Sequence, residues 1–155
     1  MNLARQVIEK AKLKSATITT AESCTGGMVM AALTDIAGSS AVAERGFVTY
    51  SNAAKIQMLG VQADTIAAHG AVSYQVAAEM AAGALAHSEA NLAVSITGIA
   101  GPGGSEHKPE GRVCFGLSDV NGTTSETLEF GPLGRENVRE AARDHALKLL
   151  LKHLG

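Results

Sequence analysis

The chain has 155 residues and a mass of 15.8 kDa, enough for one compact domain with a buried core and little more. With 46% hydrophobic and 18% charged residues it is not collagenous, low-complexity or wholly disordered, and a net charge of −2 without a basic block argues against nucleic acid as a primary partner. No apolar run reaches the roughly 18 residues of a membrane span. Cys24 and Cys114 make neither a disulfide framework nor a CxxC pair, so the expectation is a protein of the reducing cytoplasm, neither anchored nor secreted.

Seventeen glycines, 3% aromatic residues and no Trp require a core of Ala, Val, Ile, Leu and Met, which suits helices packed closely on a sheet. Leu3, Ala4, Val7, Ile8 and Ala11 fall on one face of a first amphipathic helix. Ala16 to Thr20 is short and β-branched. It leads through Glu22-Ser23-Cys24-Thr25-Gly26-Gly27 into an apolar segment from Met28 to Ile36, the pattern of strand, tight turn and helix. Val42 to Tyr50 reads as a second strand, and Ser51-Asn52 caps a helix from about Ala53 with Lys55 in its first turn. The Ala-rich helix from Tyr74 to Ser88 presents Val76, Ala77, Met80, Ala81 and Ala84 on one face, and Leu92 to Thr97 is a short buried strand. Arg112 to Val120 and Thr123 to Phe130 flank Asn121-Gly122, a strong hairpin signal, so at least one strand pair is antiparallel. A long helix from Arg135 to Leu154 closes the chain. The expectation is one domain over residues 1–155, a three-layer α/β/α sandwich on a mixed, mostly parallel sheet of about five strands, with no repeat, charged tail or Pro-rich linker to divide it.

In open α/β sheets ligands gather at the carboxyl ends of strands, and three glycine-containing loops lie there. In the first, Ser23 precedes a helix whose free N–H groups could serve a nucleophile as an oxyanion hole; equally, Ser23 or Thr25 could merely cap that helix. In the second, Tyr50 and Lys55 flank a strand-to-helix corner. A Lys near a helix N-terminus is disfavoured as a cation, and a neutral amine could take a proton from Ser23, whereas the plainer reading is a solvated surface Lys. The third, Thr97-Gly98-Ile99-Ala100-Gly101-Pro102-Gly103-Gly104, lets backbone approach a phosphate, or is only a mobile loop; it is neither a Walker loop nor GxGxxG. Arg135 and Arg139 begin the last helix, against its dipole, where an anionic ligand would suit them; the alternation of Arg135, Arg139 and Arg143 with Glu136, Glu140 and Asp144 also fits a solvated face. Cys24 could gain a lowered pKa at a helix start, but packing is its first reading. The five histidines show no metal-binding spacing, so no metal is expected.

Taken together and in order, Ala21-Glu22-Ser23-Cys24-Thr25-Gly26-Gly27, Tyr50-Ser51-Asn52 with Lys55, Leu59-Gly60-Val61, His69-Gly70-Ala71-Val72-Ser73 and the Thr97–Gly104 loop resemble the CinA C-terminal domain family over nearly the whole chain. The resemblance implies a nicotinamide-nucleotide amidohydrolase that converts nicotinamide mononucleotide (NMN) and water to nicotinic acid mononucleotide and ammonia, in pyridine nucleotide recycling. It implies Ser23 as nucleophile, Lys55 as general base and Tyr50 as an assisting residue. Substrate contacts are expected from Cys24, Thr25 and Gly26, from Thr97, Gly98 and Gly101, and from Arg135 ahead of Arg139. No cofactor or metal is implied, and a homo-oligomer, a dimer, is expected. Ser105-Glu106-His107-Lys108-Pro109-Glu110-Gly111 departs from the family pattern, which more often has another Gly and an apolar residue before the final Gly. The competing readings are a non-catalytic nucleotide- or partner-binding module and an amidase for another small amide. A link to competence or DNA damage would rest on the family name alone.

Overall fold

The computed structural model describes residues 2–155. Helix α1 (Leu3–Leu13) is capped by the Asn2 side chain, which accepts from the Arg5 amide at 2.7 Å, and buries Ala4, Val7, Ile8 and Ala11 as the periodicity predicts. Strand β1 (Ile18–Glu22) starts two residues later than expected and is buried along its whole length. Helix α2 (Met28–Thr34), a 3-10 turn (Ser39–Ala41) and strand β2 (Ala43–Val48) follow. Helix α3 (Asn52–Leu59) is capped by Ser51, whose hydroxyl accepts from the Ala54 amide at 3.0 Å. Next come α4 (Ala63–His69), α5 (Tyr74–Ala86), β3 (Leu92–Gly98), β4 (Arg112–Asp119), β5 (Gly122–Glu129) and α6 (Arg135–Leu154). Helix α4 has no buried residue, hence no apolar face in the sequence to announce it.

The sheet order is β2-β1-β3-β4-β5. β1 pairs in parallel with β2 and β3, while β4 is antiparallel to both β3 and β5. Four strands therefore point the same way and β4 alone is reversed, although the pairings divide evenly between parallel and antiparallel. On one face α1, α2 and α6 cover Ile18, Val94, Ile96, Val113 and Phe115; on the other α3 and α5 pack with Ala21 and Ala93 through Leu59, Val76, Met80 and Ala84. The period-two alternation of large and small side chains along β3 thus sends the bulk to one face. The second face is built for close approach: a Cβ on Gly116 would lie 2.3 Å from the Ala77 carbonyl oxygen, and one on Gly83 would lie 1.9 Å from that of Leu59. This is why α5 is Ala-rich. No helix among the described residues is long and apolar enough to cross a membrane.

Candidate active site

The chain passes from β1 to β2 on one side and returns to β3 on the other, so the carboxyl ends of three parallel strands meet where the strand order reverses, the usual place for a ligand crevice. A cleft of about 350 Å³ lies there, lined by Ser23 and Cys24 after β1, Tyr50, Asn52 and Lys55 after β2, residues 97–106 after β3, Ala71 and Val72 from the α4–α5 loop, and Arg135 from α6.

Ser23 is fixed by its own backbone, its amide donating to the Ile96 carbonyl at 2.9 Å and its carbonyl accepting from Gly26 at 3.0 Å. The next turn is organised by Glu22, a buried residue whose carboxyl accepts from the Thr25 hydroxyl at 2.7 Å and from the amides of Val29 and Met30 at 2.9 and 3.1 Å. The α2 amides expected to serve as an oxyanion hole are therefore already filled. A side-chain acceptor satisfies the orphan donors of the first helical turn, leaving nothing there for a substrate. Among the described residues the amide of Thr25 has no acceptor, and that of Cys24 meets only its own sulfur.

Lys55 is only 2% exposed, which overturns the solvated-surface reading. It is the fourth residue of α3, at the end of the first turn as expected, and its stem runs into the protein. Its Nζ lies 3.1 Å from Ser23 Oγ, 3.2 Å from the Thr49 carbonyl oxygen and 3.3 Å from that of Tyr50. Burial pushes the ammonium pKa below its ordinary value, against smaller opposing contributions from Cys24 and Glu106. A neutral amine has two N–H donors and one lone pair. With two carbonyls as obligate acceptors, the lone pair is left for the Ser23 hydroxyl. Burial likewise pushes the Cys24 thiol up to about 11, so that at neutral pH it is protonated and a poor nucleophile. A lowered Cys24 pKa is thus excluded, and the packing reading holds.

Tyr50 is placed differently from a hydroxyl that meets the serine. The residue is 59% exposed and its hydroxyl accepts from Arg135 at 2.8 Å, while its carbonyl faces Lys55 and Ser23. Arg135 also donates to the Gly101 carbonyl at 2.6 Å and lines the cleft. Arg139 does not line it: its guanidinium donates to the carbonyls of Cys24 and Thr25 at 2.9 and 3.4 Å and braces the nucleophile turn from behind. Thr25 and Gly26 lie outside the cleft as well, Thr25 buried on Glu22 and Gly26 against Arg139. Thr97, Gly98 and Gly101 line it. The Thr97 hydroxyl donates to the Ala71 carbonyl at 2.9 Å, and a Cβ on Gly98 would lie 2.8 Å from Val113 Cγ2 and 3.1 Å from Cys24 Sγ.

Sequence reasoning missed Glu22, Glu106 and Glu110. Glu110 accepts from the Gly103 and Gly134 amides at 2.7 and 3.0 Å and ties the β3 loop to the start of α6. The signal for Glu22 was its place directly ahead of a turn and helix; for the other two it was the irregular Ser105–Gly111 segment. Among the described residues no group of three His, Cys, Asp or Glu side chains could hold a metal.

Comparison with known families decides the lineage: a model of the CinA C-terminal domain matches residues 1–154. The chain belongs to that family. It is 54% identical over 151 residues to the nicotinamide-nucleotide amidohydrolase PncC of Escherichia coli strain K12, covering 97% of this chain and 92% of that protein. A CinA-like protein of Mycolicibacterium gilvum is 52% identical over 94% of this chain, which corresponds to 35% of its own length, so there the CinA C-terminal domain is part of a longer protein. The competence/damage-inducible protein CihA of Agrobacterium tumefaciens superposes with a TM-score of 0.93 at 49% identity, over 97% of this chain and 92% of that one. The CinA C-terminal fold is thus the three-layer sandwich described above.

Proposed function

We infer that this chain is a nicotinamide-nucleotide amidohydrolase that hydrolyses NMN to nicotinic acid mononucleotide and ammonia through a Ser/Lys acyl-enzyme. The likeness to PncC supports the substrate. The observation that carries the mechanism is the Lys55 Nζ, buried and 3.1 Å from Ser23 Oγ, with its other two contacts going to carbonyls.

Neutral Lys55 takes the Ser23 proton as Oγ bonds to the amide carbon. The oxyanion develops beside the amide of Cys24, the residue of that turn that lines the cleft with Ser23, rather than at the filled helix start. The Lys55 ammonium then protonates the leaving nitrogen, the C–N bond breaks, and ammonia departs from an ester on Ser23. Water, deprotonated by Lys55, adds to that ester; the Oγ–C bond then breaks, Ser23 Oγ takes back a proton from the Lys55 ammonium, and the acid leaves as its carboxylate. Arg135 and the unpaired amides of Ala100, Gly101 and Gly104 supply donors for the phosphate. Tyr50 assists by its carbonyl on Lys55 and its hydroxyl on Arg135. Residues 1–155 act as one domain in this reading, in the cytoplasm and as a homodimer; the exposed apolar side chains Val48, Ile56 and Met58 on β2 and α3 support a second copy.

The test is ammonia release from NMN by the purified protein beside Ser23→Ala. Wild-type release that falls by at least about 10³-fold in a variant with unchanged melting temperature is expected. A folded wild-type protein that binds NMN without releasing ammonia would instead be a binding module, and release from other small amides in place of NMN would make it a different amidase.

A further inference from the structure

The cleft carries one acidic side chain among its lining residues, Glu106, and nothing in the mechanism uses it. The Glu110 carboxyl accepts from two backbone amides, one on each oxygen, whereas Glu106, exposed at the rim, has no hydrogen-bond or ion-pair partner among the described residues. Glu106 and His107 sit in left-handed backbone conformation, with φ of 52° and 62°, which residues bearing a Cβ adopt at a cost and which is found preferentially where function demands it. The turn is held by the Ser105–Lys108 bridge, and Lys108 Nζ donates at 2.6 Å to the carbonyls of both His69 and Val72. The space beside it is kept open by Gly70: a Cβ there would stand 2.7 Å from Glu106 Oε2. The carboxyl is thus carried on a braced turn at the rim of the cleft, and its charge is felt at Lys55.

NMN is a dipolar ligand, with a phosphate dianion at one end and, on the ring that bears the amide, a permanent pyridinium charge. Arg135 and the open amides of the glycine loop suit the first charge. We propose that Glu106 is a specificity-determining residue that reads the second, favouring pyridinium nucleotides over neutral-ring amides through its unpaired carboxylate at the cleft. This rests on the amidohydrolase reading above. It adds a rule that the Ser/Lys pair cannot supply, since the pair acts on any amide carbonyl brought to it. With the ring amide at Ser23, the pyridinium is brought beside Lys55, the same region that the Glu106 charge reaches, and a carboxylate there offsets the repulsion between the ring and any protonated Lys55.

The experiment compares two ligands that share phosphate, ribose and amide: NMN and its reduced 1,4-dihydropyridine form, whose ring is neutral. Dissociation constants are measured by calorimetry on Ser23→Ala protein with and without Glu106→Gln. Glu106→Gln is expected to weaken NMN about fivefold and leave the reduced form within about twofold, as for a partly exposed charge pair. The unchanged reduced-form affinity doubles as the check that the cleft is intact. Equal weakening of both ligands, or of neither, overturns the assignment. Failure of the parent reading is separately visible, because the wild-type protein would then release no ammonia from NMN.

Discussion

Two glycine-rich loops meet across the cleft, and they are held in opposite ways. The turn after β1 is buried and tied from within: Glu22 fills the amides of α2, Ser23 is anchored on β3, and Arg139 binds the carbonyls of Cys24 and Thr25. The loop after β3 is exposed and tied from outside, by Glu110 on Gly103 and Gly134, Arg135 on Gly101, and Lys108 on His69 and Val72, with the amides of Ala100, Gly101 and Gly104 left open. The first arrangement suits a nucleophile, which loses rate if it moves by a fraction of an ångström. The second suits recognition, because an amide that is to bind a ligand cannot already be bonded. Similar composition thus serves two duties, and the difference lies in where the hydrogen bonds go.

The largest effect is expected at Lys55, the base that serves the first loop. Lys55→Met is expected to lower kcat/KM on NMN by about 10²–10⁴-fold. In the wild type kcat/KM should rise with pH as Lys55 loses its proton and level off below 10.5, its ordinary pKa; a profile flat across that range would exclude Lys55 as base. The stability consequence has a definite sign. Because burial lowers the folded-state pKa, the unfolded chain binds more protons between that lowered value and 10.5, so wild-type stability rises with pH across this window. Lys55→Met removes the rise, and urea unfolding should find its advantage over wild type shrinking from neutral pH toward pH 10.5.

Glu22→Gln tests whether the inner ties matter as a set. It removes an acceptor from a buried cluster and should cost about 1–3 kcal/mol in urea unfolding, together with a fall in kcat rather than a rise in KM. On the other loop the split should reverse. Arg135→Ala is expected to raise KM for NMN about tenfold with a smaller effect on kcat, and to leave nicotinamide riboside, which lacks the phosphate, unaffected. Equal losses on both substrates would remove Arg135 from the phosphate. The smallest effect belongs to Glu110→Gln, which keeps one of the two acceptor oxygens that hold Gly103 and Gly134 and should raise KM about threefold.

Much of this site is legible in the sequence. Ser23, Lys55 and the Thr97–Gly104 loop stand out because each follows a strand and carries chemistry or backbone freedom that a structural role does not need. Arg135 and Arg139 were not separable: one helical turn apart, they share composition and charge pattern, and only the rotation of α6 turns one toward the cleft and the other onto the back of the nucleophile turn. Tyr50 was legible as a residue but not as a geometry, since its carbonyl and its hydroxyl serve different partners. Helix α4 was not legible because it buries nothing.

The elements with an apolar face, the Asn121-Gly122 hairpin, the amphipathic α1, the long α6 and the residue types that chemistry would require are all written along the chain, because periodicity and turn propensity are local properties. What each polar group is bonded to depends on the folded molecule. That Glu22 occupies the helix amides expected for an oxyanion, that Lys55 is stripped of water within 3.1 Å of a serine 32 positions away, and that Glu106 is unpaired while Glu110 is paired all depend on contacts between segments distant in the chain. Desolvation and hydrogen-bond saturation are properties of such contacts, and no spacing along the chain encodes them.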